Sequence, residues 1–199
     1  MKAIVQDRYG GAEVLALRDI EAPVIGAHEV LVRVCAAGVD AGVWHIMTGL
    51  PYLGRLAFGL RAPRVRVRGM DIAGRVEAVG EGVTRLKVGD EVFGRCTGGF
   101  AELACARADQ LVHKPAHLDF AAAASIPTSG LTALQALDAA AVKAGQRVLV
   151  IGAGGGVGSF AVQIARARGA EVTGVCSTGK LALVRSLGAA RVIDYTCED

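Results

Sequence analysis

The 199-residue chain has no Cys-x-x-Cys pair, no long apolar run and no strong excess of one charge. Each absence closes off a class of protein. The cysteines (Cys35, Cys96, Cys105, Cys176 and Cys197) are odd in number and scattered, so neither a disulfide framework nor a zinc ribbon is suggested. Apolar runs such as Val148 to Ile151 are too short to cross a bilayer, and no membrane association is expected. The opening Met1-Lys2-Ala3-Ile4-Val5-Gln6-Asp7-Arg8 interrupts its apolar stretch too early for a signal peptide, and a cytoplasmic location is the expectation. With 22 basic and 19 acidic residues, the net charge of +3 is no footprint of a dedicated nucleic-acid binder. Arg61, Arg64, Arg66 and Arg68 crowd around Pro63, but without interleaved aromatics they read as a solvated loop.

What is present is glycine and apolar residue. The 27 glycines are too many for a simple helix bundle and lack collagen's every-third spacing. Hydrophobic residues at 52% against 21% charged exclude a disordered chain. Up to residue 118 short β-rich runs alternate with Gly and Pro. Lys2–Gln6, Glu13–Asp19, Glu29–Ala36, Arg75–Val79, Asp90–Gly94 and Ala101–Cys105 read as strands of an antiparallel barrel or sandwich. From residue 119 the pattern changes. Asp119 caps a short Ala-rich helix that Pro127 closes, and a second helix runs from Thr128 to Ala141. Strands at Arg147–Ile151, Glu171–Cys176 and Arg191–Asp194 then alternate with helices at Val157–Arg168 and Thr178–Leu187, capped by Gly169 and Gly188. Such alternation predicts βαβ units and a parallel sheet. The expected domains are therefore 1–118 and 119–199.

The segment Ile151-Gly152-Ala153-Gly154-Gly155-Gly156-Val157-Gly158 lies between a strand and an amphipathic helix. Its small residues at Ala153, Gly155 and Gly158 have the spacing of a dinucleotide-binding turn. Ala153 permits the tight turn, Gly155 lets backbone approach a pyrophosphate, and Gly158 lets helix and strand pack closely. Gly156 precedes and Val157 begins the helix, whose unpaired N–H groups and dipole favour anions. A phosphate-binding P-loop is excluded, since no Gly-Lys-Ser/Thr ends the turn. The next strand ends Cys176-Ser177-Thr178-Gly179-Lys180 without the acid that holds an NAD ribose. Ser177 and Lys180 suit a 2′-phosphate, so NADPH is the expected cofactor; the plain alternative is an N-cap and a solvated lysine.

Further runs join this turn in a characteristic order. They are Met1-Lys2-Ala3-Ile4-Val5, Glu29-Val30-Leu31-Val32-Arg33-Val34, Ala37-Gly38-Val39-Asp40, Gly69-Met70-Asp71-Ile72-Ala73-Gly74, Val88-Gly89-Asp90-Glu91-Val92-Phe93-Gly94, Gly130-Leu131-Thr132-Ala133 and Val192-Ile193-Asp194-Tyr195. In this the chain resembles the medium-chain dehydrogenase/reductase superfamily, in its zinc-independent, quinone oxidoreductase-like branch, along its whole length. The resemblance implies an α/β fold: a GroES-like β-rich catalytic domain, then a partial Rossmann parallel sheet with helices. It also implies hydride transfer from NADPH to a quinone, enone or activated carbonyl of a small molecule.

The same resemblance places residues. An Asn and a Tyr border the nicotinamide in such proteins, and Asp40 and Tyr52 stand at those positions here. Asp40 as a helix cap and Tyr52 as a packing aromatic are the competing readings. Thr132 corresponds to a position near the cofactor phosphates, and Tyr195 to one beside the adenosine 2′-phosphate. Zinc-type alcohol dehydrogenases carry Cys where this chain has Asp40 and His where it has Met70, a poor zinc ligand, so no metal is expected. Relatives also continue well past residue 199. The expectation is a truncated chain holding strands 1 to 3 of the Rossmann order, with Arg147–Ile151 left as an unpaired edge. The dimer edge that many relatives use is then missing; a nucleotide-binding fragment without activity is the alternative reading, and a relative of the zinc-type alcohol dehydrogenases a further one.

Overall fold

A computed structural model describes residues 1–197. It divides into two compact units, Met1–Thr128 and the chain from Ser129 onward. In the first, β1 (Lys2–Gln6) pairs antiparallel with β2 (Leu15–Asp19). Next come β3 (Glu29–Ala37), α1 (Ala41–Thr48), α2 (Arg55–Phe58), β4 (Asp71–Val79), β5 (Glu91–Arg95), β6 (Leu103–Arg107), β7 (Leu111–His113) and α3 (Phe120–Ala124). Five of these strands form an antiparallel sheet in the order β6-β3-β4-β5-β7.

Alternation builds this sheet's core. Val30 and Val32 of β3 point inward with Ile72 and Val76 of β4, Val92 of β5, Ala104 of β6 and Leu111 of β7. Each fully buried Val, Ile or Leu contributes about 1.5–3 kcal/mol. α3 lies on β3 and β4, seating Ala123 and Ala124 against Ala73. Asp119 caps it, its carboxylate accepting from the Ala122 N–H at 2.6 Å. This packing carries the first unit beyond the change of sequence character at residue 119, through Thr128.

The second unit holds most of α4 (Pro127–Ala139), then β8 (Arg147–Ile151), α5 (Gly156–Ala167), β9 (Glu171–Cys176), α6 (Leu181–Ser186) and β10 (Arg191–Asp194). The strands form a parallel sheet in the order β10-β9-β8. Val162 and Ala165 of α5, Val172 of β9 and Val184 of α6 make its core with Leu137 and Ala153. Gly169 and Gly188 take positive φ after α5 and α6, as helix-ending glycines do.

Several boundaries differ from the sequence reading. Pro127 opens α4 instead of closing α3, because its fixed φ suits a first helical position. Ala12–Val14 and Thr178–Lys180 are single 3₁₀ turns, so β2 begins at Leu15 and α6 at Leu181. β4 begins at Asp71, four positions before the expected Arg75, and runs through Gly74. There a Cβ would lie 2.1 Å from the Arg33 carbonyl oxygen, so glycine marks close strand approach and not a turn. Arg61, Arg64 and Arg66 are exposed as expected of a loop, but Arg68 is buried.

Candidate functional site

In the first unit the site-forming residues gather where β3 gives way to α1 and where β4 begins. Asp40 is the N-cap of α1, its Oδ1 accepting from the Val43 N–H at 3.1 Å. Its Oδ2 is buried and has no partner among the described residues. A Cβ on Gly42 would lie 2.8 Å from both Asp40 Oδ1 and Met70 Cε, which puts the two side chains against the same glycine. Asp71 follows Met70 and is buried. Its carboxylate accepts from the Thr128 N–H and hydroxyl, each at 2.7 Å. Burial raises the Asp71 carboxyl above its ordinary range, and these hydrogen bonds oppose that.

Beside them lies a cavity of about 320 Å³ lined by Val43, Ile46, Phe58, Arg68, Met70 and Cys96 among others. Burial pushes the Cys96 thiol up to about 12, so it is no nucleophile. Neither Asp40 nor Tyr52 lines this cavity. Tyr52 is 71% exposed, and the Arg55 guanidinium sits 4.7 Å from its ring and 4.4 Å from that of Tyr9.

In the second unit the glycine turn runs from the end of β8 into α5. Gly152 takes φ +76°, and both it and Ala153 donate to the Val175 carbonyl, tying the turn to β9. Ala153 is fully buried. Gly155 is the N-cap of α5, and no side chain caps the helix. The first amides of α5, at Gly156, Val157 and Gly158, therefore lack intrahelical acceptors. A Cβ on Gly158 would stand 2.1 Å from the Gly152 oxygen. One on Gly154 would meet Lys180 Cβ at 2.8 Å, so Lys180 lies across the turn.

Ser177 follows β9 at the start of the Thr178–Lys180 turn, and Tyr195 follows β10, exposed, its N–H donating to the Cys176 carbonyl. Thr132 is exposed on α4. Residues not singled out in the sequence complete the arrangement. Ser129 Oγ faces Gly156, where a Cβ would come within 2.9 Å. The Thr196 hydroxyl bonds Asp194 Oδ1 at 2.6 Å and pairs with the Thr178 hydroxyl at 2.8 Å, joining the ends of β9 and β10. These hydroxyls, Thr178 foremost, hold the Asp194 carboxyl below its usual range. Only the Asp-Tyr pair at the end of β10 could have drawn attention to this cluster in the sequence.

Among the described residues no three His, Cys, Asp or Glu side chains are grouped to hold a metal ion. Among the described residues no helix is long and apolar enough to cross a membrane.

Residues 26–116 match the family model described as alcohol dehydrogenase GroES-like domain, and residues 156–199 the one described as zinc-binding dehydrogenase. The chain is 43% identical over 190 residues to human quinone oxidoreductase, covering 89% of this chain and 53% of that protein. It is 38% identical over 212 residues to the NADPH-dependent alkenal/one oxidoreductase, chloroplastic, of Arabidopsis thaliana, covering all of this chain and 53% of that protein. The quinone oxidoreductase structure from Coxiella burnetii superposes with a TM-score of 0.90 at 36% identity, over 100% of this chain and 63% of that one. The Escherichia coli quinone oxidoreductase complexed with NADPH gives 0.86 at 29% identity, over 100% and 60%. The chain spans about half the length of the curated relatives it matches.

Proposed function

Starting from a chain that belongs to the medium-chain dehydrogenase/reductase superfamily, we propose an NADPH-dependent, zinc-independent reductase of quinones or conjugated enones. The observation that carries this reading is the glycine turn with Lys180 laid across it. The residues fit a dinucleotide. The uncapped first turn of α5 presents N–H groups and a positive dipole end to a pyrophosphate. Gly155 carries no side chain to obstruct that approach. Lys180 supplies positive charge, and Ser177 and Tyr195 supply hydroxyls, for a 2′-phosphate. Thr132 is assigned to the phosphates by the resemblance alone.

The nicotinamide, when bound, supplies the hydride. The chain's own residues hold and orient the reactants and keep water away. Asp40 has one oxygen committed to capping α1 and one buried oxygen without a partner. That second oxygen accepts an N–H or O–H of whatever reacts there. An ionised carboxylate is an acceptor only, so oxyanion stabilisation falls to other donors. Tyr52 offers a hydroxyl from the exposed segment after α1. A zinc-type alcohol dehydrogenase is not supported, since Met70 and Asp40 stand where ligands belong.

The test measures thermal unfolding of the chain with saturating NADPH and NADH, followed by NADPH oxidation with a neutral quinone. A ligand at 100 times its Kd stabilises by about 2.7 kcal/mol. The expected result is a larger upward shift with NADPH, followed by turnover. No shift with either nucleotide overturns the proposal. A second reading, a nucleotide-binding chain without activity, is favoured by one observation: neither Asp40 nor Tyr52 lines the cavity. It predicts the NADPH shift without turnover.

A further inference from the structure

We propose that the cavity of the first unit recognises an anion, with Arg68 as its counter-charge, and takes a flat apolar molecule bearing a carboxylate or sulfonate. That this molecule is the hydride acceptor, an acid-bearing quinone or enone, rests on the reductase reading; the binding does not.

The arginines of the first unit differ sharply in their partners. Arg33, Arg66 and Arg75 are exposed, and each is paired with a carboxylate: Glu77, Asp7 and Glu91. Arg68 is only 4% exposed, lines the cavity, and forms no ion pair or side-chain hydrogen bond among the described residues. Its Nε is fully buried without an acceptor. A guanidinium stays charged in proteins even where burial lowers its pKa, as here. A buried cation without a partner is costly, and such groups are normally paired.

Backbone bonds hold Arg68 in this position. Its N–H donates to the Ile4 carbonyl of β1 at 3.3 Å, and its carbonyl accepts from the Phe100 N–H at 2.7 Å. Gly69 turns the chain immediately afterwards with φ +94°. With its main chain pinned on both sides, Arg68 keeps its side chain at the cavity.

The rest of the lining defines the ligand. Val43, Ile46, Phe58 and Met70 present apolar surface, which suits a ring system. About 320 Å³ is room for a two-ring molecule and not for a dinucleotide. Arg64 and Arg95, both exposed, add two more guanidinium groups to the same lining, whereas no carboxylate lines it. A planar guanidinium matches a carboxylate or sulfonate with paired N–H donors.

The experiment is calorimetric titration of the whole chain, without nucleotide, with 2-naphthoate, naphthalene-2-sulfonate and neutral 2-naphthamide. The two acids are expected to bind at least tenfold more tightly than the amide. Arg68→Met should abolish that preference, keep the amide's affinity, and unfold at no lower temperature than the parent, because it removes an unpaired buried charge. Arg33→Gln, outside the lining, should keep the preference. Equal affinity of acid and amide for the parent chain overturns the proposal whether or not Arg68→Met folds. So does a preference that survives Arg68→Met or vanishes in Arg33→Gln. NADPH oxidation with a neutral naphthoquinone and its sulfonate separates the two readings. Binding preference without turnover upholds the pocket and removes only the role of substrate. Turnover of both acceptors without any binding preference overturns the pocket and leaves the reductase reading standing.

Discussion

The Asp71 carboxylate receives both hydrogen bonds that Thr128 can direct at it, one from the main-chain N–H and one from the hydroxyl, each at 2.7 Å. The pair ties the start of β4, next to Met70, to Thr128, the last residue of the first unit. A buried carboxylate pays for desolvation, and these two donors offset part of that cost.

A pH dependence follows from the direction of the Asp71 shift. Burial raises its folded pKa above the unfolded value. The folded state then holds the proton more tightly, so Asp71 stabilises the fold relative to high pH when protonated. That contribution is full below the unfolded value near 3.9 and is lost as pH rises through the folded value. Asp71→Asn removes the titration yet still accepts from the Thr128 N–H and donates to its hydroxyl oxygen. The expected result is a stability difference, variant minus parent, that grows in the variant's favour from pH 4 upward until Asp71 is fully ionised. Urea unfolding across that range measures it. A flat difference means that the carboxyl titrates equally in both states.

Gly158 has no room for a side chain, because a Cβ would sit 2.1 Å from the Gly152 oxygen and 2.8 Å from Ala153 Cα. Both obstacles are backbone and cannot swing away. Gly158→Ala should therefore cost about 1–3 kcal/mol through overpacking. It should also weaken nucleotide binding by displacing the turn. Gly179→Ala is the control, since its Cβ would meet nothing within 4 Å. Chemical denaturation of the two variants tests the contrast, and equal losses would show that the close contact at Gly158 relaxes freely.

What could be read from the sequence was local. β1, β8, β9 and β10 have the bounds their apolar runs imply, because each run is short and closed off by polar or turn residues. α5 follows from its apolar spacing and the glycine on each side. The order β10-β9-β8 is the 3-2-1 part of the Rossmann order that the resemblance implied. What was hidden depends on residues far apart in the chain. Asp71 and Thr128 are 57 positions apart. Arg68 sits in a run of arginines that composition alone places in solvent, yet it is buried, its main chain bonded to Ile4 and Phe100. Ser129 reaches Gly156 only once α4 is laid beside the turn. β7 is three residues long, too short for alternation to announce it.

Capping by Asp40 and the role proposed for its second oxygen can be separated by substitution. Asn retains a capping oxygen, so Asp40→Asn should leave stability within about 0.5 kcal/mol, whereas Asp40→Ala should cost about 1 kcal/mol. If the second oxygen of Asp40 also holds a reacting donor, Asp40→Asn should lower quinone turnover at unchanged thermal stability, because an amide places a donor where the free carboxylate oxygen accepts. Paired melting curves and initial rates decide it. Unchanged rates in both variants confine Asp40 to capping.

Lys180 offers the sharpest test of cofactor choice. Its stem covers Gly154 while its head is exposed, so Lys180→Met keeps the packing and deletes the charge. An exposed charge interaction is worth about 1 kcal/mol or less, which corresponds to a loss of at most roughly fivefold in NADPH affinity. NADH, without the 2′-phosphate, should bind Lys180→Met as it binds the parent. Titration of both nucleotides against both chains gives the ratio directly, and added salt should erode the parent's preference for NADPH while leaving the variant's unchanged. Equal losses for both nucleotides would instead mean that Lys180 acts through the turn it covers. The 2′-phosphate would then have to be read by Ser177, Tyr195 or the Thr178–Thr196 hydroxyl pair at the ends of β9 and β10.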